Sequence, residues 1–243
     1  MFGIVPSTLS RTLEKAEVAL QKTLKNLPEA VIEWPSRDEQ VRLASLVQGK
    51  EPIVVGRWGF LDGKNYTVQS PSDSDLQNAM YNGWLHCVIV TNCACFSAAG
   101  LCVWAKLNYY GSWNDGEMSR GFRDKLKKPI KNVDGHGVVS DTAFPVSEDM
   151  FGRIITPLKE GDIERASPET RLALRHLSAA ITSIRQSAER GMGCVDKVHR
   201  ILHRKLPYNQ MKRSRLLDCL YRLYNYRVRT TGISQIKNYF ESE

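Results

Sequence analysis

After Pro52 the sequence alternates short apolar segments, typical of β-strands, with longer segments typical of helices. The strand-like patterns predict five strands, over residues 54–62, 85–96, 101–107, 137–141 and 153–158. Helical patterns predict a short helix over residues 115–127 and a long one from residue 167 to about residue 206. Strands interspersed with helices predict a mixed α/β layer fold rather than a helical bundle or an all-β sandwich.

The first fifty residues have a different, helical pattern. Apolar residues recur at steps of four and three from Leu9 to Leu27, just after Pro6 and Ser7, which predicts an amphipathic helix. A second helix is predicted over residues 38–47, and a break rich in Gly, Glu and Pro follows at residues 49–52. We therefore expect a helical segment at residues 1–50, attached to a main domain at residues 53–243.

The composition is that of a globular protein, with 42% hydrophobic and 25% charged residues among 243. No apolar run approaches the roughly 20 residues needed to span a bilayer, and residues 1–7 lack the features of a secretory signal. These observations predict an intracellular protein without a membrane partner. The six cysteines form no CxxC pair, and we interpret them as core residues rather than as a disulfide scaffold or a zinc site.

Positive charge is concentrated towards the end of the chain. Between Arg185 and Arg229, twelve Lys or Arg residues stand against three acids, a net charge of 12 − 3 = +9, whereas the whole chain carries +8 and the remainder about −1. Such a cluster favours an anionic partner, with nucleic acid as the first candidate, because Lys and Arg release counterions from phosphates. A solvated helix face explains the same pattern, and charge alone does not decide between the two.

Three acidic residues stand at positions where folding can bring them together. Asp62 ends the first predicted strand before Gly63, Asp141 ends the fourth, and Glu189 lies in the long helix beside Ala188, at the border of its apolar face. At one rim of a sheet, such carboxylates would provide the oxygen ligands that Mg²⁺ takes. Ordinary turn and helix preferences explain Asp and Glu at these positions as well, so spacing alone leaves both interpretations open.

Five short motifs carry a resemblance to a known family. They are GFLDGK at residues 59–64, GSWND at 111–115, VSDTAFP at 139–145, RQSAERGMG at 185–193 and YNYRVRTTG at 224–232. In this order they resemble the DDE superfamily endonuclease domain (Tnp4 type) of Harbinger-like transposases and transposase-derived nucleases. The resemblance spans roughly residues 56–240.

The resemblance implies a ribonuclease-H-like fold, with a mixed five-stranded sheet flanked by helices. It also implies metal-dependent cleavage of DNA phosphodiester bonds, with strand transfer in active transposases. Our mechanistic hypothesis is two-metal phosphodiester hydrolysis. Asp62, Asp141 and Glu189 match the catalytic acids of the family, and together with Asp115 they match ligands of a divalent cation, Mg²⁺ or Mn²⁺. For Asp115, capping of the helix that starts there is an equally good explanation.

Partners and location are implied by the same resemblance. DNA is the implied substrate, and Arg190, Arg213 and Arg215 are candidate contacts to its phosphates. A separate Myb-like DNA-binding partner and a nuclear location follow from the resemblance alone. Residues 3–13 look like the second helix of a helix-turn-helix, so segment 1–50 is interpreted as a partial helix-turn-helix-like segment. The alternative function is that of a domesticated, catalytically silent derivative that binds DNA or a protein.

Overall fold

The computed structural model describes residues 3–144 and 146–241, which form an open mixed sheet flanked by helices. Its strands are β1 (Arg57–Thr67), β2 (Tyr81–Asn82), β3 (Cys87–Ser97), β4 (Cys102–Tyr110), β5 (Gly137–Ser140) and β6 (Ile154–Ile155). The main strands lie in the order β4, β3, β1, β5, β6, and β2 pairs with the first two residues of β3.

The direction of the strands defines the class of fold. β4, β3 and β1 are successively antiparallel, whereas β5 and β6 run parallel to β1. This mixed sheet is that of a ribonuclease-H-like fold, as predicted. It has six strands rather than the five expected, because the two-residue strand β2 adds to the sheet.

Helices cover the sheet on both sides. They are α1 (Pro6–Asn26), α2 (Arg37–Lys50), α3 (Ser74–Met80), α4 (Asp115–Leu126), α5 (Glu160–Arg165), α6 (Pro168–Val198), α7 (Gln210–Thr231) and α8 (Gln235–Glu241). α6 packs against β1, β3 and β5, while α4 packs against β3 and β4. None of the helices in the described ranges is both long enough and apolar enough to cross a membrane.

The two amino-terminal helices pack against the rest of the fold. α2 contributes Leu43, Ala44 and Val47 to the same hydrophobic core as the strands. α1 contacts α7 near its own end, where Leu24 is buried, whereas Leu9 on the same helix is 42% exposed. The core of the sheet therefore includes α2, whereas α1 lies along α7, with Glu14 and Glu17 near Arg215 and Leu24 in a small separate cluster.

The observed bounds correct several predicted ones. β1 spans Arg57–Thr67 rather than residues 54–62, so Asp62 lies in the middle of the strand and not at its end. The strand continues because Asp62 to Thr67 pair with residues of β3, and this pairing outweighs the turn preference of Gly63. The long helix ends at Val198 rather than near residue 206.

Candidate active site

Asp62 and Asp141 are brought together by the register of two parallel strands. Leu61 of β1 stands opposite Ser140 of β5, so the next residues along the two strands are Asp62 and Asp141. β5 ends at Ser140, whereas β1 continues to Thr67. Asp141 therefore leaves the sheet at the point where Asp62 is still held inside a strand.

The Asp62 carboxyl is the most perturbed of the acidic groups at this rim. Burial raises its pKa from 3.8 to about 6. The N–H of Gly63, which donates to Asp62 Oδ1 at 2.8 Å, and the charge of Arg185 act in the opposite direction. The negative charges of Glu189 and Asp141 raise the pKa as well, by less than burial does.

Arg185, which sequence reasoning did not single out, lies between two of these acids. Its Nη2 is 2.9 Å from Oε1 of Glu189, and its Nη1 is 3.8 Å from Oδ2 of Asp141. The Arg185 side chain is 19% exposed, compared with 44% for Asp141 and 54% for Glu189. An arginine four residues before a glutamate on one helix was the sequence signal for this pair.

Asp115 reaches the same rim from α4. Asn114, not Asp115, caps this helix, because its Oδ1 accepts a hydrogen bond from Glu117 N at 2.9 Å. The Oδ1 of Asp115 lies 3.1 Å from the position that a Cβ would take on Gly63. Burial and then the charge of Asp141 raise the pKa of Asp115. The absence of a side chain on Gly63 thus lets the carboxylate of Asp115 approach β1 one residue after Asp62.

The helix that carries the glutamate is fixed against the sheet at two points beyond it. Tyr66 of β1 donates a hydrogen bond to Asp196 Oδ1 of α6 at 2.9 Å, and Lys64 Nζ lies 2.7 Å from Asp196 Oδ2. Gly191 packs so closely on Phe96 that a Cβ would stand 2.7 Å from the ring. Both contacts set the height and rotation of α6 relative to β1.

The donor chemistry of the rim suits a hard divalent cation. All four groups are carboxylates, and Mg²⁺ prefers oxygen ligands. In the ranges 3–144 and 146–241, no three His, Cys, Asp or Glu side chains are arranged as a group that would hold a metal ion directly. Instead, the Arg185 guanidinium forms ion pairs with Asp141 and Glu189 and neutralises their charges.

Arg213 does not have the role that the sequence suggested. It is 1% exposed, and its guanidinium donates to the backbone oxygens of Pro207 and Tyr208, at 2.8 and 2.9 Å, and to the side-chain oxygen of Asn108. All of these hydrogen bonds are made inside the protein. The predicted contact between Arg213 and a DNA phosphate is therefore wrong, because the group has no surface with which to make it.

The other two candidate arginines also have partners within the chain. Arg190 stacks on Tyr239, with its guanidinium carbon 4.2 Å from the ring centre. Arg215 donates to the backbone oxygen of Glu14 at 3.4 Å and lies 4.0 Å from a carboxylate oxygen of Glu17, both on α1. A phosphate contact by Arg190 or Arg215 stays a prediction.

A ribonuclease-H-like sheet with carboxylates on its central strand, on the adjacent strand end and on the packed helix defines a class of nuclease folds. Residues 61–225 match the family model described as DDE superfamily endonuclease. This match covers more than half of the chain and includes all four acids of the rim, and the chain belongs to that family. No curated protein and no solved structure matches the chain significantly.

Proposed function

We propose that the protein is a metal-dependent DNA endonuclease of transposase origin. The observation that carries this proposal is the pairing of β1 with β5, after which Asp62 and Asp141 follow side by side, together with Arg185, which links Asp141 to Glu189. Burial, together with the charges of Glu189 and Asp141, raises the pKa of Asp62. Carboxylates that lie close together in a partly buried site disfavour each other's ionisation unless a cation compensates their charge. Membership of the DDE endonuclease family supports the same conclusion.

The roles of the acids follow from where each is held. Asp62 is fixed in the middle of β1 and hydrogen-bonded to Gly63 N. Together with Asp141 and Glu189 it would hold Mg²⁺ or Mn²⁺, and Asp115 would support the rim from α4. Bound ions would supply Lewis-acid stabilisation of the attacking and leaving oxygens of the phosphodiester.

Arg185 has a separate part in this scheme. Asp141 and Glu189 are about half exposed, so their side chains have room to turn from the guanidinium towards Asp62. Arg185 would then be free to face a phosphate of the DNA, which carries the charge that a guanidinium binds well.

The net charge of +9 between Arg185 and Arg229 supports DNA as the substrate. Clustered cations hold a nucleic-acid backbone without reading its sequence. With Arg213 buried, the contacts would be made by other members of this stretch, such as the exposed Arg204 and Lys205. A nuclear location and a separate Myb-like partner that selects the target are part of the same proposal and rest on the family resemblance.

Nicking of a supercoiled plasmid in Mg²⁺ or Mn²⁺ tests the proposal. The wild-type protein is expected to nick, and EDTA to stop it. Asp62→Asn, Asp141→Asn and Glu189→Gln are each expected to lower the rate by at least about a hundredfold, because each removes a ligand charge at the reacting centre. The control is Glu169→Gln, an exposed acid in the first turn of the same helix α6, which should nick as the wild type does.

Two results would overturn the assignment. If the three substitutions leave nicking unchanged, the acids are not the catalytic groups. If the wild-type protein binds DNA but never cleaves it in either metal, the alternative of a catalytically silent DNA-binding derivative replaces the nuclease. Circular dichroism of each variant separates loss of activity from loss of fold.

A further inference from the structure

A cavity of about 820 Å³ opens directly beside the acidic rim. Its lining includes Asp115 and Ala143, which is two residues after Asp141. The lining also includes the turn between β2 and β3, which carries Trp84. The volume is within the range of about 300–1,000 Å³ that is usual for sites that bind small organic groups.

The lining combines aromatic rings with uncharged polar groups. Tyr81, Trp84 and Trp113 supply the rings, and the polar groups are the side chains of Asn65, Asn82, Thr91, Ser112 and Asn114. Asp115 is the one charged residue of the lining. Flat rings with amide and hydroxyl groups suit a planar, uncharged ligand with hydrogen-bonding edges, and a lining without a cation does not suit a phosphate.

Trp84 is held in an unusual position. Trp84 is 90% exposed, although burial of a large aromatic ring is a principal source of stability. The backbone beneath it is fixed, because Asn82 Oδ1 accepts hydrogen bonds from the N–H groups of Trp84 and Leu85, at 3.1 and 3.0 Å. An exposed indole on a fixed turn contributes little to the fold and is available to a ligand.

Trp113 forms a more rigid part of the lining. Its ring packs on Tyr109 with the ring centres 4.9 Å apart, and Lys106 Nζ lies 5.1 Å from its ring centre. The side-chain amide of Asn82 donates to the backbone oxygen of Gly111 at 3.0 Å. That hydrogen bond ties the turn that carries Trp84 to the loop that carries Trp113, so the two indoles belong to one connected structure.

Thr91 adds a hydroxyl group to the polar lining of the cavity. It lies on β3, lines the cavity and is 5% exposed. A hydroxyl can both donate and accept a hydrogen bond, so it can bind a ligand edge of either kind.

We infer that this cavity binds one unpaired nucleobase of the DNA strand that is cut. The inference rests on the proposed function, and it specifies the form of the substrate. A base stacks well on tryptophan, and the polar lining can meet its edges. Because Asp115 lines the cavity, the phosphate of that nucleotide would lie at the acidic rim while its base occupies the cavity. A base in an intact duplex is stacked on both sides, so it has to leave the helix before it can enter.

Fluorescence titration with 2-aminopurine oligonucleotides tests the inference. Two short duplexes of the same sequence are compared in EDTA, which prevents cleavage: one is fully paired, and one carries a single bulged 2-aminopurine. The wild-type protein is expected to bind the bulged duplex about tenfold more tightly and to change the 2-aminopurine emission on binding. Trp84→Ala is expected to remove this preference without altering the dissociation constant for the paired duplex, and Trp84→Phe to restore most of it.

The matched control is Phe151→Ala, since Phe151 is 88% exposed and precedes β6 at the opposite end of the sheet. It should leave both dissociation constants unchanged. Equal binding of the two duplexes by the wild-type protein, or an equal loss for both in Trp84→Ala, overturns the inference. If the wild-type protein nicks the plasmid but shows no preference for the bulged duplex, this inference is wrong and the proposed function stands. If neither duplex binds and no nicking occurs, the proposed function fails with it.

Discussion

Arg185 Nη2 lies 2.9 Å from Glu189 Oε1, one turn farther along α6, and the same guanidinium faces Asp141. It therefore occupies two of the carboxylates that we propose to hold metal ions. A cation that enters the rim has to replace Arg185 as the partner of these acids. In the proposed nuclease, an internal ion pair would thus set part of the strength with which the rim binds metal.

Replacement of Arg185 by Gln is expected to tighten Mn²⁺ binding by about two- to fivefold, the range that corresponds to a partly exposed ion pair. The positive charge that competes for Asp141 and Glu189 is lost, while a hydrogen-bonding side chain remains. Isothermal titration calorimetry with Mn²⁺ measures the change. Lys197→Gln removes an exposed charge near the end of the same helix and should have no effect. Weaker binding in Arg185→Gln would mean that the arginine orients the acids instead of competing for them.

Asp62→Asn is expected to abolish nicking and yet to stabilise the metal-free protein. Burial raises the pKa of Asp62 from 3.8 to about 6 in the folded state, so the folded protein favours the protonated form. As the pH rises through this interval, ionisation of Asp62 lowers the free energy of unfolding. The full decrease, at most about 3 kcal/mol, is reached above pH 6. The amide cannot ionise and avoids that cost.

Urea unfolding in EDTA checks this prediction at two pH values. At pH 7.5 the free energy of unfolding should be higher for Asp62→Asn than for the wild type, whereas near pH 4 the two should agree closely. A variant that is less stable at pH 7.5 would contradict the pKa shift. Saturating Mg²⁺ should narrow the difference, because it stabilises only the protein that retains the carboxylate.

Gly63→Ala is expected to lower the nicking rate by up to about tenfold while the protein stays folded. The new Cβ would stand 3.1 Å from Oδ1 of Asp115, so this carboxylate has to shift by a few tenths of an ångström, and misplaced catalytic groups slow reactions. Gly193→Ala is the matched control, since nothing lies within 4 Å of its Cβ position in α6. Unchanged nicking in Gly63→Ala would show that Asp115 is not needed at its present position.

Arg213→Ala is expected to destabilise the protein by about 3 kcal/mol or more. Buried hydrogen bonds donated by a charged group contribute more stability than hydrogen bonds between neutral groups. In addition, the variant would leave their buried acceptors without donors. Urea unfolding measures the effect. Arg204→Ala removes the same kind of side chain from an exposed position and should change stability little. If Arg213→Ala instead unfolds like the wild type but loses DNA affinity, the buried role assigned to Arg213 is wrong.

The sequence predicted the mixed α/β sheet and most of its strands because apolar patterns persist where residues are buried. It misplaced β1 because the polar residues Asp62 to Asn65 resemble a turn, and only the pairing with β3 keeps them extended. The long helix stops at Val198 because the chain beyond it returns to the sheet, where Leu206 N donates to Thr67 O at 2.9 Å. In both elements, contacts between segments that are distant in sequence determine where the element ends.

The candidate site, like the fold, could be predicted from the sequence only in part. Asp62, Asp141, Glu189 and Asp115 were found through motifs, without knowledge of how close they lie. Arg185 and Gly63 were missed as parts of the site, since their roles depend on what stands opposite them. The helix α3 had a local signal that was overlooked, namely Asp73, whose side chain caps Leu76 N.

The attachment of α6 to the sheet limits how the site can respond to its ions. Asp196 holds the helix through Tyr66 and Lys64, and Gly191 leaves no gap against Phe96. Sliding or turning of the helix would break these contacts, so the free and loaded proteins should share one backbone. Adaptation then falls to the torsion angles of a few exposed side chains, which reorient in picoseconds to nanoseconds. Arrival of the cation, rather than rearrangement of the scaffold, would set the pace of loading.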